Sequence, residues 1–268
     1  MNTVRQIINE HKGFGKQIFM LAKSDLVKKY RGAALGWAWA VVKPAMTLFV
    51  FWFAFTVGLR GGKPVEGYPY FLWQLGGFLP WFYMRSLIPG GAACIKRYRH
   101  LVTKMRFPVS VIPTFINISE LLVHILLLVI TVVIFLLFGY KPDIYYLQIP
   151  LYMLMMFVSF TAWSLFAGML SCISADFQNL IKSVSTAIFW MSGIIYDVNS
   201  IHNVYIRTVL KLNPVTTIAT GYRKCFIYKE WFFEDKVGMV CYAISLVATI
   251  LLAIWAYKRL RKEIPDVL

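Results

Sequence analysis

Glu120 and His124 stand four residues apart, and so on one helical face, inside one of the most apolar stretches of this chain. Ionisable groups at membrane depth are costly, and where they occur they mark ion or proton pathways. This pair points to ion-coupled transport, with a purely structural Glu–His pair as the alternative. A second chemistry, ATP hydrolysis, would need Gly, four residues, Gly-Lys and then Ser or Thr to cradle phosphates. The nearest approach is Gly61-Gly62-Lys63-Pro64, with Val57 where the first glycine belongs and Pro64 where the hydroxyl belongs. It reads as a turn. The four cysteines, Cys94, Cys172, Cys225 and Cys241, have neither metal nor redox spacing. The expectation is therefore no catalytic residue, no metal, and no cofactor in this chain.

The elements that must position such groups are apolar runs. Six of them, at 37–59, 70–93, 108–138, 149–173, 180–196 and 238–257, occupy most of the sequence. A bilayer core needs about 20 apolar residues of helix, and lipid offers no partner to an unpaired backbone group. The hydrophobic share of 59% and aromatic share of 17% fit that reading. The expected fold class is an all-α integral membrane protein of six transmembrane helices. An amphipathic interfacial segment at 1–36 precedes them, re-entrant or interfacial helices lie between spans five and six, and a tail follows at 258–268. The third run is about 46 Å long as a helix, so Glu120 sits only moderately deep. The fifth is short.

The formal charge of +16 would suggest nucleic acid in a soluble chain. Here Lys and Arg gather in the N-terminal segment, in the connection after the second run and at the C-terminus. The positive-inside rule puts both termini in the cytoplasm, with anionic lipid rather than nucleic acid as the partner. In the N-terminal segment Phe14, Ile18, Leu21, Ala22 and Leu26 recur at helical spacing among Lys12, Lys16, Lys23, Lys28, Lys29 and Arg31. Such a helix lies flat at the headgroups, apolar side down, and Gly32 and Gly36 supply the bend into the bilayer.

Two short connections share the cytoplasmic side. The first, basic and ending against Pro108, presents Arg97, Tyr98, Arg99 and His100; the second presents Asp176, Phe177 and Gln178. Both read as docking knobs for a partner that supplies force. Aromatic residues crowd the first, second and fifth runs. Trp52, Trp73, Trp81 and Trp190 are the best candidates to line a path, because flat rings stack on the apolar faces of sugars without gripping one tightly. Ser164, Gly168 and Cys172 form a small face suited to close helix packing. In the long connection 197–237, Asn213 and Pro214 make an N-cap and first-turn pair.

Several motifs run in one order over the full length: Asp25-Leu26-Val27-Lys28-Lys29-Tyr30-Arg31, Leu35-Gly36-Trp37-Ala38-Trp39, Lys43-Pro44, Leu79-Pro80-Trp81, Lys104-Met105-Arg106-Phe107-Pro108, Asp176-Phe177, Asn213-Pro214 and Tyr222-Arg223. In this the chain resembles the membrane subunit of type 2 ABC exporters of cell-surface polysaccharides, the O-antigen, capsule and teichoic acid permeases. The family's Arg-Asp after the fourth span reads Ala175-Asp176 here, so no role tied to that arginine carries over. The resemblance implies a homodimer in the bacterial plasma membrane, docked on two copies of a cytoplasmic ABC ATPase that holds the ATP and Mg. It also implies coupling helices in the two cytoplasmic connections, an outer gate at Asn213 and Pro214, and a lipid-linked glycopolymer as substrate. The abundance of Lys and the Arg-Lys-Glu-Ile-Pro ending favour teichoic acid or a related wall polymer. An ion-coupled transporter using Glu120 and His124, and a scaffold or assembly protein, are the competing classes.

Overall fold

The computed structural model describes residues 3–59, 64–105 and 107–268. Gly61, Gly62 and Lys63 of the glycine turn, and Arg106, lie outside the described residues. The described chain is all-α: its only non-helical pairing is an isolated bridge between Val65 and Tyr68. The helices are α1 (Thr3–Gly13), α2 (Gly15–Tyr30), α3 (Trp39–Phe53), α4 (Tyr70–Arg97), α5 (Arg99–Met105), α6 (Val111–Leu137), α7 (Ile149–Ile173), α8 (Ala175–Met191), α9 (Val204–Lys211), α10 (Pro214–Arg223), α11 (Lys236–Leu260) and α12 (Ile264–Val267).

Among the described residues, four segments are long and apolar enough to cross a membrane: Gly36–Gly58, Val111–Leu137, Ile144–Ile173 and Lys236–Leu260. With the backbone paired inside each helix and apolar side chains outside, this is a multi-pass integral membrane protein. α4 and α8 are less apolar for different reasons. α4 is the hub of the bundle, buried along most of its length against α6, α7, α8 and α10. α8 is exposed along much of its length and carries Lys182, Ser183, Ser185 and Thr186 on that surface. Hydrocarbon tolerates such a row poorly, so this face needs water or protein beside it.

α4 and α7 pack most closely, and small residues make that possible. A Cβ added at Gly91 would lie 2.3 Å from Ser164 Oγ, and one at Gly168 would lie 3.1 Å from Cys94 Sγ. The increasing numbers on both helices show that they run parallel. The small face on α7 is thus used inside the protomer, against α4, and is not free to join two copies. Gly91→Ala should lower the melting temperature markedly, because the helix axes must separate; overpacking of this kind costs about 1–3 kcal/mol. Thermal unfolding in detergent micelles checks it.

The fifth expected run ends earlier than its hydropathy suggested. α8 stops at Met191, and Gly193 takes φ +64, a left-handed turn that leaves residues 194–197 outside the helix. The connection that follows contains the expected Asn213 cap: its side chain accepts from Val215 N at 3.1 Å. Its Nδ2 also donates to Ser192 Oγ at 2.8 Å, fastening α10 to the end of α8. α10 is buried from Val215 to Arg223 and packs on α4, α7 and α11, so it is an inner helix and not part of a surface hairpin. α9 instead exposes Val204, Tyr205 and Val209. Lys211 at its end pairs with Asp235 at 2.9 Å, and Asp235 caps α11 through Gly238 N. Burial alone would raise the Asp235 carboxyl, but the hydrogen bonds from Lys211 and Gly238 outweigh it and hold the group below the ordinary carboxylate range.

The N-terminal helices differ from the expected flat-lying arrangement. The apolar stripe of α2 is there, with Ile18, Ala22 and Leu26 buried, but it faces protein, because α2 packs against α6. α1 is tied down by Glu10, which accepts from Tyr257 of α11 at 2.5 Å and from Ser110 at the start of α6. On the other side of α2, Phe19 and Met20 are exposed.

Candidate functional site

α3 rests on α4 like a lid, with only Ala40 and Leu48 buried. A groove opens on each side of it. The groove toward α8 has a volume of about 300 Å3, with walls from Thr47, Trp81, Arg85, Ser185, Thr186 and Trp190. Rings and hydroxyls alternate there around one guanidinium. Trp81 and Trp190 are brought together by Phe189, whose ring centroid is 5.3 Å from the first and 5.5 Å from the second. Trp190 is 52% exposed, whereas Trp81 is nearly covered at 3%. Such a wall can stack on sugar faces, hydrogen-bond their hydroxyls and attract an anionic substituent.

The other two candidate tryptophans fall elsewhere. Trp52 borders an apolar slot on the opposite, α6 side of α3. Trp73 is 1% exposed and belongs to the interior. Its indole N–H donates to Tyr228 at 2.8 Å, and the Arg223 guanidinium sits 3.6 Å from its ring centroid. A helical-wheel view of α4 cannot distinguish a ring facing a groove from one facing a buried arginine.

Arg223 is held on every side. It is fully enclosed, and it donates through Nη1 to Gly193 O at 2.7 Å, through Nη2 to Ile194 O, and through Nε to Trp73 O at 3.3 Å. Three carbonyls and a π-face hold the charge in place of a carboxylate. It thereby locks α10, α4 and the turn after α8 into one unit at the end of the α8 groove. Pro214 and Asn213 border a small apolar crevice of about 200 Å3 with Ile188 of α8. The residues assigned to an outer gate thus contact the helix that walls the groove.

Because α4 and α7 are parallel, the two expected docking knobs project from one end of the bundle. α5 exposes Arg99, His100, Thr103 and Lys104; the second knob exposes Asp176, with Phe177 and Gln178 half-buried and Ser174 Oγ capping the turn from Phe177 N. Tyr98 departs from expectation. It is 6% exposed, its hydroxyl donates to the buried Asp25 carboxylate, and its ring packs edge-on against Phe115 at 4.9 Å. Burial and the Asp25 contact push its hydroxyl well above the ordinary tyrosine range. Arg97 lies 3.7 Å from the same carboxylate. Tyr98 therefore fastens α2 to the first knob, and the exposed surface of that knob is left to Arg99 and His100. Asp25 was invisible as a partner, since the pairing spans 73 residues of sequence.

Glu120 and His124 share a face, as their spacing required, but do not bond to each other. Both Glu120 oxygens accept from Lys29 Nζ at 2.7 Å, and His124 Nε2 meets Tyr222 Oη at 2.7 Å. Each has its own partner, one on α2 and one on α10. Of the other interfacial cations, Lys28 and Arg31 are exposed. No cluster of three or more potential metal ligands exists among the described residues.

Comparison with known proteins decides the family. Residues 16–227, most of the chain, match the family model described as ABC-2 type transporter. The chain belongs to the ABC-2 type transporter family. It is similar to a protein of Myxococcus xanthus named O-antigen export system permease protein RfbA, with 26% identity over 243 residues covering 90% of this chain and 92% of that protein. Two proteins of Klebsiella pneumoniae bearing the same name are 22% and 21% identical over 212 residues, covering 78% of this chain and 80% of each. The matched region runs from α2 through α10 and the residues just after it, so it contains both grooves, both knobs and Arg223. Arg85, Thr47, Ser185 and Thr186 were not singled out in the sequence. A lone arginine inside an apolar run was the available signal for the first. The hydroxyls of α8 were hidden by averaging over the run.

Proposed function

We propose that this permease is the membrane-spanning subunit of an ATP-driven exporter that carries a cell-surface polysaccharide from the cytoplasmic to the outer face of the membrane. The observation that carries the reading is the α3–α4–α8 groove, whose rings, hydroxyls and single cation lie on a membrane-spanning body. The names of the relatives favour an O-antigen-type polysaccharide over the teichoic acid suggested by composition. ATP hydrolysis belongs to a separate ABC ATPase, which receives the first knob at Arg99 and His100 and the second at Asp176–Gln178. The groove is open on one side, and the exposed polar row of α8 needs a neighbour; a second copy of the chain supplies both, giving a homodimer on two ATPases with termini in the cytoplasm.

In this arrangement the knobs transmit a push along α4 and α7, which small-residue packing joins into one rigid pair. Arg223 holds the far end of α8 so that the motion reaches the groove and α10 together. Vesicles containing the permease and its ATPase, loaded with lipid-linked polysaccharide on the nucleotide side, test the reading. ATP should drive glycan to the far side, and an ion gradient without ATP should not. Export driven by a proton or sodium gradient alone would replace this account with the ion-coupled one.

A further inference from the structure

Gln74 of α4 is fully buried, yet neither its Nε2 nor its Oε1 has a hydrogen-bond partner. An amide stranded inside a membrane-spanning body is costly, and a leucine would fill nearly the same space without that cost. A group of this kind calls for an explanation outside the fold.

Its position supplies one. Phe78, Trp81 and Arg85 wall the α8 groove. Gln74 stands one turn before Phe78 and two before Trp81, which puts all four residues on one face of α4. That face runs about 16 Å from Arg85 to Gln74 along the helix axis. Trp73, beside Gln74, gives its carbonyl to Arg223, so Gln74 lies at the end of the groove away from the docking knobs.

The groove stops at Phe78, and a knot of rings stops it. Phe51 of α3 lies 5.1 Å from Phe78 and 5.3 Å from Phe189 of α8, and Phe78 lies 5.8 Å from Phe189. These rings join α3, α4 and α8 one turn short of Gln74. The helix that carries Phe51 is lightly anchored, with only Ala40 and Leu48 buried. It continues into a π-helical stretch, Ala54–Leu59, an irregularity frequent at functional sites.

We propose that Gln74 is a sugar-contacting residue at the end of this path, closed off by Phe51, Phe78 and Phe189 in this structure and reached when α3 moves aside. The inference rests on the export reading. A primary amide presents a donor and an acceptor side by side. Two neighbouring hydroxyls of a pyranose match it, one accepting from Nε2 and the other donating to Oε1. The ligand class is a glycan with free vicinal diols, and a chain whose diols are blocked by O-acylation should be a poor substrate.

Gln74→Leu separates this role from packing. Its melting temperature should be unchanged or raised, because a stranded amide is replaced by an apolar group of similar volume. In vesicles with the ATPase, the glycan concentration for half-maximal export should nonetheless rise ~10-fold, the loss expected for two hydrogen bonds. Gln74→Asn, which keeps the amide, should recover part of that loss. The closure is tested without glycan or nucleotide. A Gln74→Cys thiol should resist a small water-soluble reagent in the permease alone and react once Phe51→Ala is added. Phe51 is only half-buried, so the permease should still melt cooperatively without its ring. Unaltered export by Gln74→Leu, or a thiol that stays unreactive in the folded Phe51→Ala protein, would overturn the proposal. Absence of ATP-driven export by the unmodified permease, with the Phe51→Ala thiol reactive, would instead refute the export reading and leave the closure over Gln74 standing.

Discussion

Arg223→Ala is expected to abolish accumulation of folded permease. Removing the guanidinium strands the buried carbonyls of Gly193 and Ile194, which lie outside any helix, takes away the additional contact to Trp73 O, and empties the space over the Trp73 ring. Each stranded acceptor costs about 1–3 kcal/mol, so the sum is a large part of a typical stability of roughly 5–15 kcal/mol. Arg223→Lys should not rescue it, since an ammonium cannot address three carbonyls in the geometry of a planar fork. Gly77→Ala offers an independent check from the opposite wall, because its added Cβ would lie 2.3 Å from Arg223 Nη2. Yield and thermal unfolding in detergent measure all three. A stable, monodisperse Arg223→Ala protein would show that the arginine is dispensable to the fold.

The second large effect concerns coupling. Reversing charge at Arg99→Glu together with Lys104→Glu should reduce ATP-driven export at least ~10-fold, because like-charged contacts at an interface repel and rim charges steer assembly. Both side chains are exposed, so the permease itself should melt as before. Tyr98→Phe should behave in the opposite way. It deletes the hydroxyl that donates to Asp25 and leaves that buried carboxylate short of a donor, lowering stability by about 1–3 kcal/mol with the docking charges intact. Export and melting temperature on the same preparations separate the two roles. Full export in the charge-reversed pair would remove α5 from the ATPase interface.

Much of the fold was legible because its signals are local. α3, α6, α7 and α11 declare themselves by apolar length. The Asn213–Pro214 pair announces the start of α10, and the four-residue spacing of Ser164 and Gly168 announces a close helix contact. What the sequence withheld were pairings between distant residues. Nothing near Asp25 reveals Tyr98, and nothing near Trp73 reveals Arg223. The partner of the small face on α7 was likewise hidden, and it proved to be α4 of the same chain. The groove followed the same rule. Trp81 and Trp190 could be named from type and position, whereas Trp52 and Trp73 have the same type but face a lipid-side slot and a buried cation. The polar residues of the groove wall, Arg85, Ser185 and Thr186, sit in apolar runs whose mean hydropathy conceals them.

The central claim is that the α3–α4–α8 groove is a wet path for the substrate. It can be tested by placing a thiol at Ser185→Cys or Thr186→Cys and treating the exporter, with its ATPase, with a bulky water-soluble thiol reagent. The native Cys94, Cys172, Cys225 and Cys241 are buried and give a low background. Val240→Cys on the exposed apolar face of α11 serves as the lipid-facing control. The account predicts that both α8 thiols react, that their modification stops ATP-driven export, and that Val240→Cys neither reacts nor loses transport. Unreactive α8 thiols, or full export after their complete modification, would contradict it.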